Sequence, residues 1–389
     1  ATGTAMVGTI LVSLFAGPQY AIVLYLIFGG LAAALVSAKI QKRWQIIMPS
    51  LIVGLVNSVS VLAFSLDWQA VFPVTSTLPS IRALLPGQAF EPALMQHLGW
   101  AFAGGLVAGP LALLCLPLLE ISWDTASTFK LNRYMDLQRP LIKKLQQQAP
   151  GTYQHSMTVA YLSQVVGEAT GANALLLRIG AYYHDIGKME TPRNFIENQF
   201  NSENPHDLLD PWESTELIIN HVRSGMKMAM NSGLPRAVVD LIVQHHGTHR
   251  LEYFFSLAAK DQPREIIDET DFRYPGPKPQ STEAAILMIV DAAEAASRTM
   301  QDPTRLKLEK MVRLIVGKRI EDGQFSECDL TTRDISKIVL ALVDALEVSF
   351  HSRIRYPWQE KAAAQKGSNW TFGSGDKDKQ PQSRISFKM

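Results

Sequence analysis

Cysteine is nearly absent from this chain. Cys115 lies in an apolar run and Cys328 in a polar one, far apart in the sequence. Two such residues supply neither a disulfide framework nor a thiolate metal site, and they fit a reducing compartment for the polar part of the chain. Excess charge is lacking as well. The 37 Lys and Arg stand against 36 Asp and Glu, a formal net charge of +1. That balance offers no basic face of the kind nucleic-acid binding needs, so nucleic acid is set aside as a partner. No internal repeat is found, nor any convincing run of alternating strands. Charge is also unevenly spread: residues 1–38 contain no charged side chain at all, whereas residues 130–358 read like a soluble domain.

Four stretches approach the roughly 20 apolar residues that span a bilayer, about 3–17, 19–38, 45–65 and 98–119. The first is short, and Gly17-Pro18 breaks it from the second. Lys39, Lys42 and Arg43 follow the second, and Trp44 and Trp100 suit the interface between lipid and water. With that basic loop inside, four spans return the chain to the cytoplasm at Glu120. Residues 66–97, with four prolines and Arg82 as their one cation, lie outside or dip partway in. Four charge-free runs of this length rarely share one soluble core, so a lipid bilayer is the expected partner. None of the spans carries an ionisable residue, which gives no sign of an ion or proton pathway. Anchoring, sensor input or homo-oligomerisation are the roles left to them. The chain opens on Ala1 and turns apolar at once, so a missing N-terminal portion is expected. Without a basic segment ahead of it, the first run does not read as a signal peptide.

The expected fold is all-α: a transmembrane helix bundle over 1–120, a helical connector over 121–135, an all-helical domain over 136–358 and a disordered polar tail over 359–389. Turn punctuation at Ala149-Pro150-Gly151, Asn204-Pro205, Asp210-Pro211, Gly233-Leu234-Pro235 and Tyr274-Pro275-Gly276-Pro277 separates the helices of the domain.

Five of the nine histidines make sense together. His155 starts a helical pattern continued by Val159, Leu162 and Val166. His184-Asp185 closes a helix, His221 ends an apolar run, and His245-His246 follow another. Asp291 interrupts the run Ala284–Ala293, which otherwise asks for full burial. A single histidine at a helix end is most often a surface or capping residue. A buried carboxylate says more, because without a cation or hydrogen bonds it costs several kcal/mol. Adjacent residues on a helix point about 100° apart, so the His184-Asp185 and His245-His246 pairs can serve two centres. Imidazole and carboxylate without thiolate suit borderline first-row metals such as iron or manganese. The candidate metal ligands are therefore His155, His184, Asp185, His221, His245, His246 and Asp291.

In this order the residues resemble the HD phosphohydrolase superfamily in its variant with two divalent metal ions. The likeness extends through Ala149–Ser156, Gly180–Met189, Phe195–Gln199, Glu203–Asp207, Gln244–Thr248, Asp271–Gln280 and Leu330–Pro357 to the seven-transmembrane HD-hydrolase family. That family hydrolyses cyclic di-AMP in bacteria, and its members carry an extracellular sensor domain and seven spans. The resemblance implies a multi-pass protein of the bacterial inner membrane, its HD domain in the cytoplasm, acting in second-messenger signalling. It also implies that Asp185 bridges two metal ions, with His155, His184 and Asp291 completing one centre and His221, His245 and His246 the other. Two such ions would lower the pKa of a bound water, so that metal-activated water is the nucleophile the resemblance implies; no separate nucleophile is expected.

Asp185 and Lys188 are the catalytic candidates. Lys188, one helical turn past His184, can reach a phosphate or the leaving oxygen, or it balances a helix C-terminus. The loop Arg273–Lys278 offers Arg273, Tyr274 and Lys278 as a substrate wall, with Tyr274 for base stacking; a plain rigid turn explains the same residues. His206 lies near the pocket or caps a loop, and His97, His249 and His351 are structural. The reading that follows is a metal-dependent phosphodiesterase giving pApA from cyclic di-AMP. A cyclic di-GMP enzyme, as in the HD-GYP relatives, would carry Gly-Tyr-Pro shortly after the paired histidines, where this chain has Gly247-Thr248-His249-Arg250. A membrane nucleotide receptor without turnover would be expected to have lost ligands, and all seven are present.

Overall fold

In the computed structural model, which describes residues 20–37, 40, 43–65, 92–122, 127–199, 204–261 and 266–350, every regular element is a helix. Among these residues the β-type pairing is limited to an isolated bridge between Arg250 and Arg273. The all-α class holds.

Helices α1 (Tyr20–Ser37), α2 (Ile47–Ser65) and α3 (Pro92–Ser122) form the apolar part. Among the described residues, two stretches are long and apolar enough to cross a membrane: Trp44–Ala63, with mean hydropathy 2.1, and Met95–Leu118, with mean hydropathy 2.0. They correspond to the third and fourth expected spans. The second corresponds to α1, whose described apolar part, Leu26–Ser37, is shorter; residues 3–17 lie outside the described residues. Helix α3 starts at Pro92 rather than 98, so the end of the proline-rich stretch joins it. Leu51, Leu55 and Val59 on α2, and Val107, Leu111, Leu114 and Leu118 on α3, are exposed, as lipid-facing side chains would be. The helices meet through small residues. A Cβ on Gly105 would strike the backbone of Gly54, and one on Gly54 would lie 2.8 Å from the Phe102 carbonyl oxygen. Such close backbone approach is how apolar helices gain contact where lipid supplies no hydrophobic driving force.

The second part comprises α4 (Thr128–Asn132), α5 (Pro140–Gln148), α6 (Pro150–Thr170), α7 (Ala174–Tyr183), α8 (Pro211–Asn231), α9 (Arg236–Gln244), α10 (Glu252–Asp261), α11 (Thr282–Arg298), α12 (Arg305–Glu321) and α13 (Thr332–Phe350). The expected connector over 121–135 resolves into the end of α3, the short α4 and a turn, with 123–126 outside the described residues. The tail expected over 359–389 also lies outside them. His221, which ends an apolar run in the sequence, sits at the middle of α8, which runs on to Asn231.

Helix α11 is the axis of the domain. Ala284 through Val290 are all at most 1% exposed, and the helix packs on α6, α7, α9, α12 and α13. Each fully buried Ile, Leu or Val here contributes roughly 1.5–3 kcal/mol, so α11 is firmly seated before its polar residues are considered. Three of the helices that carry site residues, α11, α8 and α7, start on side-chain caps. Ser281 accepts from the Ala284 amide, Asp210 from Glu213 and Asn173 from Leu176. Helix α6 has no side-chain cap of its own. Its first amides, Gly151 and Thr152, donate instead to Asn198 Oδ1 at 2.9 and 3.2 Å. A distant loop thereby closes the helix that carries His155.

Between α7 and α8 the chain turns through a short 3-10 segment, Ile186–Met189, that packs against α8. Gly187 permits this: a Cβ there would collide with the His221 carbonyl oxygen and sit 2.5 Å from the Gly225 amide nitrogen. Gly187→Ala is therefore expected to push the turn off α8. Overpacking of this kind costs about 1–3 kcal/mol, a fall of roughly 2–12 °C in melting temperature for a domain of this size. Thermal unfolding checks it, and a variant melting like the wild type would show that the turn is not held this tightly.

Candidate metal centre

Five helices and one turn deliver seven side chains to one point. His155 comes from α6, His184 from the C-terminal cap of α7, and Asp185 from the residue that opens the 3-10 turn. His221 comes from mid-α8, His245 and His246 from the end of α9, and Asp291 from mid-α11. They fall into two groups whose ligand atoms lie within 4.8 Å of one another: His155, His184, Asp185 and Asp291, and Asp185, His221, His245 and His246. Asp185 belongs to both. Its Oδ2 lies 3.2 Å from His184 Nε2 and 3.7 Å from His155 Nε2, and its Oδ1 lies 3.4 Å from His221 Nε2 and 3.7 Å from His245 Nε2.

Local structure fixes three of the rings. His184, His221 and His245 each donate Nδ1–H to the carbonyl three residues earlier, of Ala181, Ile218 and Ile242, at 2.8, 2.6 and 2.7 Å. That leaves Nε2 of each as the atom facing the centre, a lone-pair donor whenever the ring is neutral. His155 is held differently, by Glu294 at Nδ1 (2.5 Å) and Asp291 at Nε2 (2.9 Å). His246 stacks on Tyr274, ring centroids 4.3 Å apart.

The electrostatics suit a cation. Burial opposes ionisation of Asp185, yet His184 and Lys188 outweigh it and hold the carboxyl well below its usual range. Asp291 is likewise held well below, against burial, by His155 and His184. Burial also opposes protonation of His155 and His184, but the carboxylates raise them to about 9 and about 10. Burial lowers His221, His246 and His245, the last to about 3, so these rings are neutral with lone pairs available at pH 7. His184 Nε2 and Asp185 Oδ1 are buried with no hydrogen-bond partner. Unpartnered polar atoms aimed at a common point, among neutral imidazoles and ionised carboxylates, are what a divalent metal ion would satisfy.

Lys188 does not stand one α-helical turn past His184 as expected. The 3-10 turn brings it back onto Asp185 Oδ2 at 2.8 Å, with Glu197 Oε1 at 2.9 Å on its other side. Burial works against its charge, but Asp185 and Glu197 raise its pKa above the ordinary value, so it is a buried, protonated lysine and not an exposed helix-end one. Above the centre opens a cavity of about 380 Å³ lined by, among others, Lys188, Phe195, Ile196, Tyr274, Arg298 and Thr299. Tyr274 also borders a second cavity of about 660 Å³, where Arg273 is found. Arg273 is absent from the lining of the first cavity and is tied to Glu269, Asp322 and the Thr248 carbonyl. Lys278 lines neither cavity and reaches Ser326 at 3.3 Å. His206 caps a loop: its Nε2 donates to the Asn194 carbonyl at 2.9 Å.

Sequence reasoning missed Glu197, Glu294 and Arg298. Glu294 and Arg298 follow Asp291 at three and seven residues, the same face of one helix, and that spacing was the available signal. Glu197 gave none beyond its place in the Phe195–Gln199 segment.

Comparison with known families matches residues 152–296 to the HD domain and residues 1–127 to the 7TM receptor with intracellular HD hydrolase. Among curated proteins, the cyclic-di-AMP phosphodiesterase PgpH of Bacillus subtilis (strain 168) is 40% identical over 339 residues, covering 87% of this chain and 45% of that protein. PgpH of Listeria monocytogenes is 37% identical over 336 residues, covering 86% of this chain and 44% of that protein. The chain thus spans less than half the length of these relatives. The crystal structure of the L. monocytogenes PgpH HD domain in complex with cyclic-di-AMP superposes with a TM-score of 0.53 and 43% identity, covering 56% of this chain and 100% of that one. The HD match and the His/Asp cluster together mark the centre as a divalent-metal site.

Because Asp185 belongs to both ligand groups, Asp185→Ala should lower bound metal more than loss of any one histidine. Metal analysis of the purified variants checks this. Full metal content in the Asp185→Ala protein would show that the two groups do not share this carboxylate.

Proposed function

The chain belongs to the family of 7TM receptors with an intracellular HD hydrolase, and on that footing we propose that it is a metal-dependent phosphodiesterase hydrolysing cyclic di-AMP to pApA. The observation that carries this reading is the pair of ligand groups sharing Asp185 at the floor of a cavity that also presents a lysine, an arginine and aromatic rings. Full-length coverage of a PgpH HD domain crystallised with cyclic-di-AMP supports the substrate.

In this reading two divalent ions, iron or manganese, are held by His155, His184, Asp185 and Asp291 and by Asp185, His221, His245 and His246. When bound, such ions lower the pKa of water toward 7 and take up charge on phosphoryl oxygens. Asp185 serves both groups and orients them to one phosphodiester. Lys188 is already protonated and next to the centre, so it can neutralise charge on a phosphoryl or leaving oxygen. Glu197 sets the position from which it does so, and Thr152 Oγ1 donates to Glu197 in turn at 3.0 Å. Tyr274 forms the aromatic wall, with Phe195, Ile196 and Ile218 as apolar contacts for a base. Arg273 acts at one remove, bracing the Tyr274 loop. The membrane helices hold the HD domain on the cytoplasmic side, as the family description implies. The absence of Gly-Tyr-Pro after His246 disfavours cyclic di-GMP, and the complete ligand set disfavours a receptor without turnover.

The test is the metal-loaded chain against a panel of cyclic dinucleotides. Both candidate substrates present the same phosphodiester, so discrimination must come from the base walls, where unmatched buried polar groups supply selectivity. Cyclic di-AMP is expected to be preferred over cyclic di-GMP, with pApA as product. Tyr274→Ala should weaken substrate binding by about 1–3 kcal/mol if the ring stacks on a base, and Tyr274→Phe should retain it. Because the ring also packs on His246, metal content is measured alongside. Equal catalytic efficiency on both dinucleotides would refute the substrate assignment and leave the metal centre standing.

A further inference from the structure

His155 is the one histidine of the centre whose Nδ1 lies within hydrogen-bond distance of a carboxylate from another helix. Glu294 Oε2 lies 2.5 Å from it, and Glu294 is 2% exposed. The other oxygen of Glu294 receives Arg298 Nε at 2.6 Å and Nη2 at 2.5 Å, so the buried carboxylate has a countercharge that does not depend on the histidine. On the opposite edge of the ring, Nε2 is 2.9 Å from Asp291 Oδ1.

This arrangement sets up a competition. To ligate a cation the ring must be the neutral imidazole, which carries one proton, and Asp291 by itself would draw that proton to Nε2, turning the atom that should bind a cation into a hydrogen-bond donor. A carboxylate at Nδ1 opposes this by keeping the proton there. The geometry points to Glu294 as a positioning residue of the metal centre: it holds His155 in the tautomer protonated at Nδ1, leaving Nε2 free to ligate, while Arg298 balances its charge. The inference rests on reading the cluster as a metal centre and adds to it a residue outside both ligand groups. Partners of this type orient the ring and raise its basicity, and their loss typically lowers metal affinity 10–100-fold.

The test uses the full chain in detergent, stripped with a chelator and titrated with Mn²⁺, with free ion read by electron paramagnetic resonance and bound ion counted after desalting. Glu294→Asp keeps the charge but withdraws the oxygen from Nδ1, Glu294→Leu removes both, and Glu294→Gln keeps an acceptor without the charge. The Asp and Leu variants are expected to bind Mn²⁺ about 10–100-fold more weakly, and the Gln variant to stay close to wild type. Should Glu294→Leu fail to fold, the Asp variant, which removes a single methylene, decides. Wild-type affinity in the Asp and Leu variants would reduce Glu294 to a partner of Arg298 and overturn the inference. A Gln variant as weak as Leu would overturn the tautomer account in favour of charge. A wild-type chain that takes up no Mn²⁺ would overturn the metal reading itself, and the two failures are thereby separate.

Discussion

The carboxylate of Asp185 is ionised with 1% of its surface exposed, and much of the surrounding architecture compensates that charge. An uncompensated buried carboxylate costs several kcal/mol, so the residues around it cannot be chosen independently. Lys188 is folded back by a 3-10 turn to reach Oδ2, and Glu197 then balances the lysine on its far side. His184 arrives from the adjacent position and His221 from α8. Even so, Oδ1 keeps no hydrogen bond. The shared carboxylate thus keeps an ionised, unpartnered oxygen that a divalent ion would satisfy.

Close backbone approach makes this possible. Gly187 lets the turn that starts at Asp185 lie against α8 beside His221, and Gly151 lets the loop with Glu197 lie against the start of α6. Asn198 then caps α6 from that same loop. One segment thus fixes the helix that carries His155 and the acid that orients Lys188.

The all-helical class and the grouping of seven ligands were legible because polar residues stood where the apolar pattern had no room for them. Asp291 within Ala284–Ala293 is the clearest case. What the sequence did not reveal were features set by tertiary contact. Lys188 read as standing one helical turn past His184, but a 3-10 turn after Asp185 brings it back onto that carboxylate. Arg273 and Lys278 looked like substrate contacts from their nearness in sequence to the Asp291 helix. Successive residues of an extended loop point different ways, and only Tyr274 borders the metal cavity. Glu294 lay on the right helical face, but the spacing alone does not separate a buried acid from a solvated one.

The ring contacts divide the centre by how each part is built. His184, His221 and His245 take their orientation from a carbonyl three residues earlier, so each ring is set by its own helix or helix end. His155 and Asp291 depend on each other across α6 and α11, with Glu294 and Arg298 extending the contact along α11. Those three rings thus take their orientation from local structure, whereas His155 is oriented only when two helices distant in sequence have packed. The apolar run Ala284–Val290 drives that packing, and it also carries Asp291 to the largely buried floor of the cavity. In α11 the hydrophobic force that organises the domain creates the charge problem that the metal centre answers.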